Sequence, residues 1–544
     1  MQLNSIKTLT MVGMVLLGTS LHASAASEQS VDEVRTTLVS VMEALVQKGI
    51  LSKEQAEQIV ANAQAKTAAS AKEKAAQEVA EKEAVRVTYV SENVKAEIKE
   101  QVASELKPSV VKEVVAQAKN EKWGIPGALP EWLSNMNFYG DVRVRAEQAN
   151  YAEDNAQNVY LNMDNVNTAG GIGKAGTGAL LNVTQDRFRL VNRLRFGLLA
   201  DLGNSFAADL RLTSGIGRNV NSTNQTLGAY NARGTVNVDK AAIIWDHISP
   251  SINRELEVRA GRFANPYASV SELVWDSDLT FEGVSATYAM DLFGRKVNKM
   301  ERGVYFTVGA MPLQEVELSS KDKWLYAAQA GSEVPFSDSS VFKLSGAYYK
   351  YSNVSGVRNT PDSTLMDYTA PRFVQKGNTV FDIRNSTTDT SVNLFALAGD
   401  YRLVNVNASL DVPFVSGKRT VFAGEYVRNV GFDSKKVMQR TGGQIEGRVD
   451  GYDLSIAVGD ASLKALGKWR ATFAYRYLER DAVLDAFTDS DFRLGGTDSK
   501  GYQFSYELGL SKTTSLKARM MSASEIDGPP LAIDVYQLDL NSTF

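Results

Sequence analysis

Tyr536-Gln-Leu-Asp-Leu-Asn-Ser-Thr-Phe544 alternates apolar with polar residues for most of its length and finishes on an aromatic ring. Side chains of a strand alternate faces with period two, so Tyr536, Leu538, Leu540 and Phe544 share one side while Gln537, Asp539 and Asn541 share the other. One face suits hydrocarbon and the other suits water. No window of the chain offers the roughly 20 apolar residues that a transmembrane helix needs. A two-faced strand in such a chain points to a membrane β-barrel.

The rest of the sequence from residue 136 agrees. Aromatic and β-branched runs recur between clusters of Gly, Asn, Asp and Ser, and they divide into about 16 strands, among them 136–148, 186–202, 397–410 and 443–458. Connections of alternating length separate them. Gly203-Asn204, 247–253, 334–339, 411–418, 459–467 and 511–513 are short, with 291–302 a longer exception among the turns, whereas 149–185, 217–234, 264–278, 352–396 and 479–499 are long. That alternation is expected when periplasmic turns join one end of a barrel and external loops the other. The expected fold is an all-β transmembrane antiparallel β-barrel over 136–544, preceded by an N-terminal α-helical periplasmic segment.

Parity then assigns the charges. Phe188, Leu190, Leu194, Phe196 and Leu198 share the face that must meet lipid, which turns Arg187, Arg189, Arg193 and Arg195 toward the lumen. The same argument turns Arg143 and Arg145 inward, with Arg211 and Arg259. An arginine facing hydrocarbon near the midplane costs about 2–4 kcal/mol, so the assignment is strongly enforced. These eight are the candidate pore-lining residues. A plainer reading has them paired with lumenal Asp141, Asp209, Glu255 and Glu257 to brace the wall, and the two can coexist.

Composition excludes several classes. There are 544 residues, no cysteine, two histidines and a net charge of −4, with apolar residues at 44%. The charge gives no reason to expect a nucleic-acid partner. His22 lies in the leader and His247 in an expected periplasmic turn, far from an external catalytic rim. No catalytic residue, cofactor or metal site is expected. Gly171-Ile-Gly-Lys-Ala-Gly176 has the spacing of a nucleotide-binding turn but neither a preceding hydrophobic strand nor a following helix, so it reads as a flexible loop. Tyr139, Trp245, Tyr288, Tyr348, Tyr349, Trp469, Tyr475, Tyr477, Tyr502 and Tyr506 fit girdles at the membrane interfaces.

Lys7, the apolar run from Leu9 to Leu21, and Ala23-Ser24-Ala25 have signal-peptide form, giving residues 1–25 as the leader. Residues 26–122 read as helical. Val31, Val34, Leu38, Val41, Leu45 and Val46 follow helical spacing, and Ser52-Lys-Glu-Gln55 has capping-box form. This segment suits a periplasmic tether, a coiled-coil stalk that self-associates, or a peptidoglycan contact. Residues 123–135 form a linker.

Five stretches carry a family resemblance: Ala128-Leu-Pro-Glu-Trp-Leu133, Gly140-Asp-Val-Arg-Val-Arg145, Arg187-Phe-Arg-Leu-Val-Asn-Arg-Leu-Arg-Phe-Gly197, Ala260-Gly-Arg-Phe-Ala-Asn-Pro-Tyr267 and Leu273-Val-Trp-Asp-Ser-Asp-Leu-Thr-Phe-Glu-Gly283. They resemble the putative porin family of Gram-negative outer membranes. The resemblance implies a water-filled channel for passive diffusion of small hydrophilic solutes and ions, embedded in outer-membrane lipid and expected as a homotrimer. An anchor or adhesin barrel with partner-binding loops is the alternative. In general porins the third external loop folds inward, so Glu272, Asp276 and Asp278 are the candidate constriction-loop residues, set across the channel from the arginines. The terminal strand, with Tyr536, Leu538, Leu540 and Phe544, resembles the signal read by the barrel-assembly machinery.

Overall fold

The computed structural model describes residues 135–249, 254–290, 303–336, 338–389 and 391–544. The expected leader, helical segment and nearly all of the linker lie outside these residues, as does the turn expected at 291–302. Within them, sixteen strands form one antiparallel sheet that closes on itself. They are β1 (Met136–Tyr151), β2 (Arg187–Gly203), β3 (Phe206–Ser214), β4 (Val236–Ser249), β5 (Arg254–Ala264), β6 (Thr280–Met290), β7 (Gly303–Gln314) and β8 (Lys323–Pro335). β9 (Val341–Ser352), β10 (Arg402–Pro413), β11 (Arg419–Asn429), β12 (Asp450–Gly459), β13 (Trp469–Leu478), β14 (Ser499–Gly509), β15 (Thr514–Ser524) and β16 (Ile533–Thr543) complete it. Each pairs with its neighbours in sequence, and β1 pairs with both β2 and β16, so that Asp141 lies opposite Arg195 on one side and Thr543 on the other. Closure removes the edges that lipid cannot satisfy.

Alternation explains both surfaces. Phe188, Leu190, Leu194 and Phe196 are exposed on β2, with Phe188 at 63%, while Val191 between them is buried. The outward set meets lipid, and the inward set meets water or the loops. A two-residue strand, Gln225–Thr226, extends the sheet by pairing with β2 where β3 has ended.

Loops gather at one end. The connections after β1, β3, β5, β9, β11 and β13 are long, and those after β2, β10 and β14 are short. Helices α1 (Met163–Ala169) and α2 (Ile172–Ala175) occupy the first long loop, and α3 (Ser434–Thr441) lies between β11 and β12. Asp433 caps α3 through Lys435 and Lys436 amides, and Gly442 ends it in the left-handed region at φ 77.

Several expectations are corrected. The strand expected over 443–458 begins at Asp450, because the α3 turn and its exit occupy the approach. The strand expected over 397–410 begins at Arg402, since Phe395–Leu397 pairs with Val380–Asp382 in a separate two-stranded sheet. His247 is not in a turn. It continues β4 opposite Leu256, its ring stacked 5.7 Å from Trp245. Gly171–Gly176 contains the four-residue α2 rather than a helix-free loop. Tyr139 and Tyr349 face inward rather than joining a girdle: the Tyr139 hydroxyl donates to Asp209, and Tyr349 is fully buried.

Inside the barrel, at the long-loop end, the third long loop (265–279) packs by its apolar side. Trp275 sits edge-on to Phe281 and Tyr349, with ring centroids 5.0 Å away in each case. Leu273 and Val274 are buried beside it. Burial of this kind fixes the loop against the β6–β9 wall.

Candidate functional site

The loop at 265–279 does not cross the lumen alone. The 479–498 loop between β13 and β14 also folds inward and is bonded to it. The Asp276 amide donates to the Phe487 carbonyl at 2.8 Å, the Ser490 amide to Asp276 Oδ2 at 2.8 Å, and the Thr488 hydroxyl to the Leu273 carbonyl at 2.8 Å. Asn221 of the second long loop joins them by donating to the Thr488 carbonyl at 2.9 Å. Nothing in the apolar pattern of 479–499 signalled an inward loop. Its acids, Asp489 and Asp491, were the missed functional candidates, and the run Asp481, Asp485, Asp489 and Asp491 in one long connection was the available hint.

Against these loops stands the wall made by β2, β1, β16 and β15. Between wall and loops lies a cavity of about 540 Å³, lined by Arg143, Arg145, Arg193, Arg195, Lys517 and Arg519 on the strands and by Glu272, Asp276, Asp278, Asp489 and Asp491 on the loops. Register explains the wall. Arg193 lies opposite Arg143, Arg145 opposite Asp539, and Asp539 opposite Lys517.

The acids do not stand across water from the arginines, as the sequence led us to expect. Asp278 Oδ1 accepts from Arg193 at 3.0 Å and Arg195 at 3.2 Å, and Asp141 holds the same two guanidinium groups from the wall. Asp491 contacts Arg145 at 2.8 Å and also pairs with Arg519, while Asp539 takes Arg145 from behind at 2.7 Å. Burial alone would raise the Asp278 carboxyl, but Arg193, Arg195 and Arg143 hold it below the usual carboxylate range. Asp491 is likewise depressed, its burial outweighed by Arg519 and Arg145. Asp276 goes the other way. Burial, reinforced by Glu272, Asp278 and Asp489, pushes it well above the carboxylate range, and burial with Asp489 raises Glu272.

Among the described residues, two cations of the cavity have no carboxylate partner. The Arg143 side chain donates to Asn224 Oδ1 and leaves its Nε without an acceptor. Lys517 faces Glu507 across the ladder without forming an ion pair, and Glu507 accepts from the Ser515 hydroxyl at 2.9 Å instead. The remaining candidate arginines lie elsewhere. Arg187 is exposed at the long-loop end of β2, Arg189 is bound to Glu147 at 2.6 Å, and Arg211 to Asp239. Arg259 pairs with Glu257 at 2.7 Å and lines a separate cavity with Tyr139, Asp209 and Lys240 near the short-turn end. Tyr536, Leu538 and Leu540 are exposed on the outer face of β16. Phe544 exchanges two backbone hydrogen bonds with Gly140, each 3.1 Å, and lays its ring beside that glycine.

The sequence model of the family described as "Putative porin" matches residues 35–544. None of the curated proteins matches. Among solved structures, OprB of Pseudomonas putida is similar over 76% of this chain and 96% of its own, at 12% identity and a TM-score of 0.45. The outer membrane channel DcaP of Acinetobacter baumannii is similar over 75% and 97%, at 12% identity and 0.35. The porin of Rhodopseudomonas blastica, as a triple mutant, is similar over 75% and 100%, at 9% identity and 0.36. With a match that spans nearly the whole sequence, this chain belongs to the putative porin family and is an outer-membrane β-barrel porin, a channel protein.

Proposed function

We propose that solutes cross this porin through the cavity between the two inward loops and the β15–β16–β1–β2 wall, and that this constriction favours small anions. The supporting observation is the imbalance of free charge. Among the described residues, Arg143 and Lys517 carry no carboxylate partner, whereas Asp276 and Glu272, the loop acids nearest to being free, are pushed toward their neutral forms. Of the remaining cavity charges among the described residues, only Glu507 on β14 also lacks an ion pair, so one positive charge is left over; the rest are paired and brace the loops. Fixed charges lining a narrow aqueous path set ion preference by the field they leave in it.

The arginines called pore-lining divide accordingly. Arg143, Arg145, Arg193 and Arg195 belong to the constriction; Arg259 belongs to the periplasmic vestibule; Arg187 stands at the external mouth. A homotrimer is the proposed assembly, with residues 26–122 as its periplasmic tether or stalk and the terminal strand as the signal for the barrel-assembly machinery. Reversal potentials in a salt gradient test the channel reading. R143Q combined with K517Q should move the preference toward cations with the single-channel conductance retained; an unchanged reversal potential in that variant would sink the anion reading.

A further inference from the structure

Above the constriction, at the external mouth, a further cavity of about 110 Å³ opens between three loops (215–235, 353–401 and 479–498) and the ends of β7 and β8. Val220, Leu313, Val354, Phe373, Leu484 and Phe487 give it an apolar lining. Phe487 is the residue whose carbonyl holds the constriction loop, so the notch sits directly over the narrow zone. Apolar cavities of about 150 Å³ admit a benzene ring, and this one is open on one side, so a ring or a branched aliphatic group fits it in part.

Its rim is charged in an uncompensated way. Lys323 is 4% exposed, yet it has no carboxylate within ion-pairing distance among the described residues. Its ammonium donates to Gln314 Oε1 at 3.0 Å and to the Ala370 carbonyl at 2.7 Å, which spends two of its three hydrogens. Arg372, also on the rim, is exposed and makes neither an ion pair nor a hydrogen bond with any of the described residues. It is the charged neighbour that acts on Lys323, and it has the same sign. Two cations held together at the edge of an apolar hollow, one of them buried, leave a vacancy in charge that an anion satisfies. Asp485, on the inner side of the notch, does not fill it: its Oδ2 meets no donor, and burial pushes the carboxyl up to about 7.

We propose that this notch binds a small carboxylate bearing a compact apolar body, with the apolar part against Phe373, Leu484 and Phe487 and the carboxylate between Lys323 and Arg372. Amphiphilic carboxylates would thereby be concentrated at the entrance. The proposal names the solute class for the anion-favouring constriction and rests on that reading only for onward passage, since binding at the notch is separable from conduction. Pockets that combine an apolar lining with a few convergent polar groups are the usual form of small-molecule sites.

The test is calorimetric titration of the refolded barrel, in a non-ionic detergent, with benzoate, acetate and benzamide. Benzoate should bind at one site per chain, about tenfold more tightly than acetate, which lacks the apolar body, or benzamide, which lacks the charge. K323M and R372Q should each weaken benzoate about tenfold and leave benzamide unchanged. Arg372 is exposed, so R372Q carries the test even if K323M does not fold. Equal affinities for the three probes, or benzoate binding indifferent to R372Q, would overturn the proposal. Reversal potentials on the same preparation separate the two readings. Anion preference without benzoate binding removes the notch alone, and benzoate binding without anion preference removes the constriction reading alone.

Discussion

Asp278 and Glu272 lie six residues apart on one loop, and the physics around them is opposite. Asp278 accepts from Arg193, Arg195 and the Thr223 hydroxyl, so removing its charge leaves two guanidinium groups short of a partner in a site only 8% exposed. D278N should therefore cost about 3 kcal/mol of barrel stability, as expected when one member of a buried ion pair is lost. Glu272 accepts from the Ser277 amide at 2.9 Å through one oxygen, and its carboxyl is raised by burial and by Asp489. E272Q keeps that acceptor and relieves the repulsion, so it should change stability by less than about 1 kcal/mol. The unfolding midpoint on heat-modifiable gels checks both. The pH dependence has a definite sign. The Asp278 carboxyl is depressed in the folded chain, so its contribution is complete above its ordinary value of 3.8 and is lost as pH falls through the lowered one. D278N should accordingly flatten the acid limb of the stability profile.

At the scale of elements, the 479–498 loop has no regular ladder to hold it and is fixed instead by buried polar contacts. Lys376, from the 353–401 loop, donates to the Arg493 and Leu494 carbonyls, and Asn378 accepts from the Asp485 amide at 2.8 Å. Burial raises Asp485 to about 7, with Asp481 adding to the shift and Lys376 opposing it. A carboxyl raised on folding favours the folded loop where it is protonated, so the loop contact weakens as pH rises from about 4 toward and through 7. Amide protection factors in 479–498, with the intrinsic base-catalysed rise divided out, should therefore fall between pH 5 and pH 8 (about the range that brackets this group), and D485N should abolish that fall. An unaltered dependence in D485N would assign it to another group. These loops were also where the sequence was least legible. Strands β2, β5 and β16 could be read because lipid enforces parity on every residue. The approach to β12 could not, since 443–449, the irregular run that follows the end of α3 at Gly442, alternates like a strand, and the ends of β10 were misplaced because Phe395–Leu397 alternates equally well while pairing with Val380–Asp382. Tyr139 and Tyr349 were misassigned because an aromatic with a hydroxyl suits an interface and a lumen equally. Arg143 and Arg193 were legible as inward, but their pairing was not, because it depends on how far the loops descend.

For the whole molecule, the seam between β1 and β16 is the step that turns a sheet into a channel, and Phe544 sits at its end. Its two hydrogen bonds to Gly140 extend a ladder that already runs from Asp141–Thr543 to Tyr151–Ile533. Each such bond contributes about 1 kcal/mol net, so deleting Phe544 should lower the stability of an assembled barrel by about 2 kcal/mol. The ring adds packing over Gly140, where a Cβ would come within 2.5 Å of it, and lies 6.2 Å from Phe196 on the outer face. A loss of that size leaves a closed sheet closed. Assembly in the cell is a different matter, since closure must be guided before any of the ladder exists. If the terminal ring is read by the assembly machinery, the deletion should sharply reduce the amount of protein reaching the outer membrane, while protein refolded in detergent still conducts. Replacement by tryptophan, which keeps a terminal aromatic, should restore most of the yield. A variant lacking residues 27–122 supplies the control, because the barrel's ladder is complete from Met136 onward. That variant should conduct with intact single-channel steps, and any shortfall should appear in the proposed trimer alone. Normal outer-membrane levels of the Phe544 deletion would show instead that the ring serves only the seam, and a deletion that fails to conduct even after refolding would show that the seam depends on its last residue.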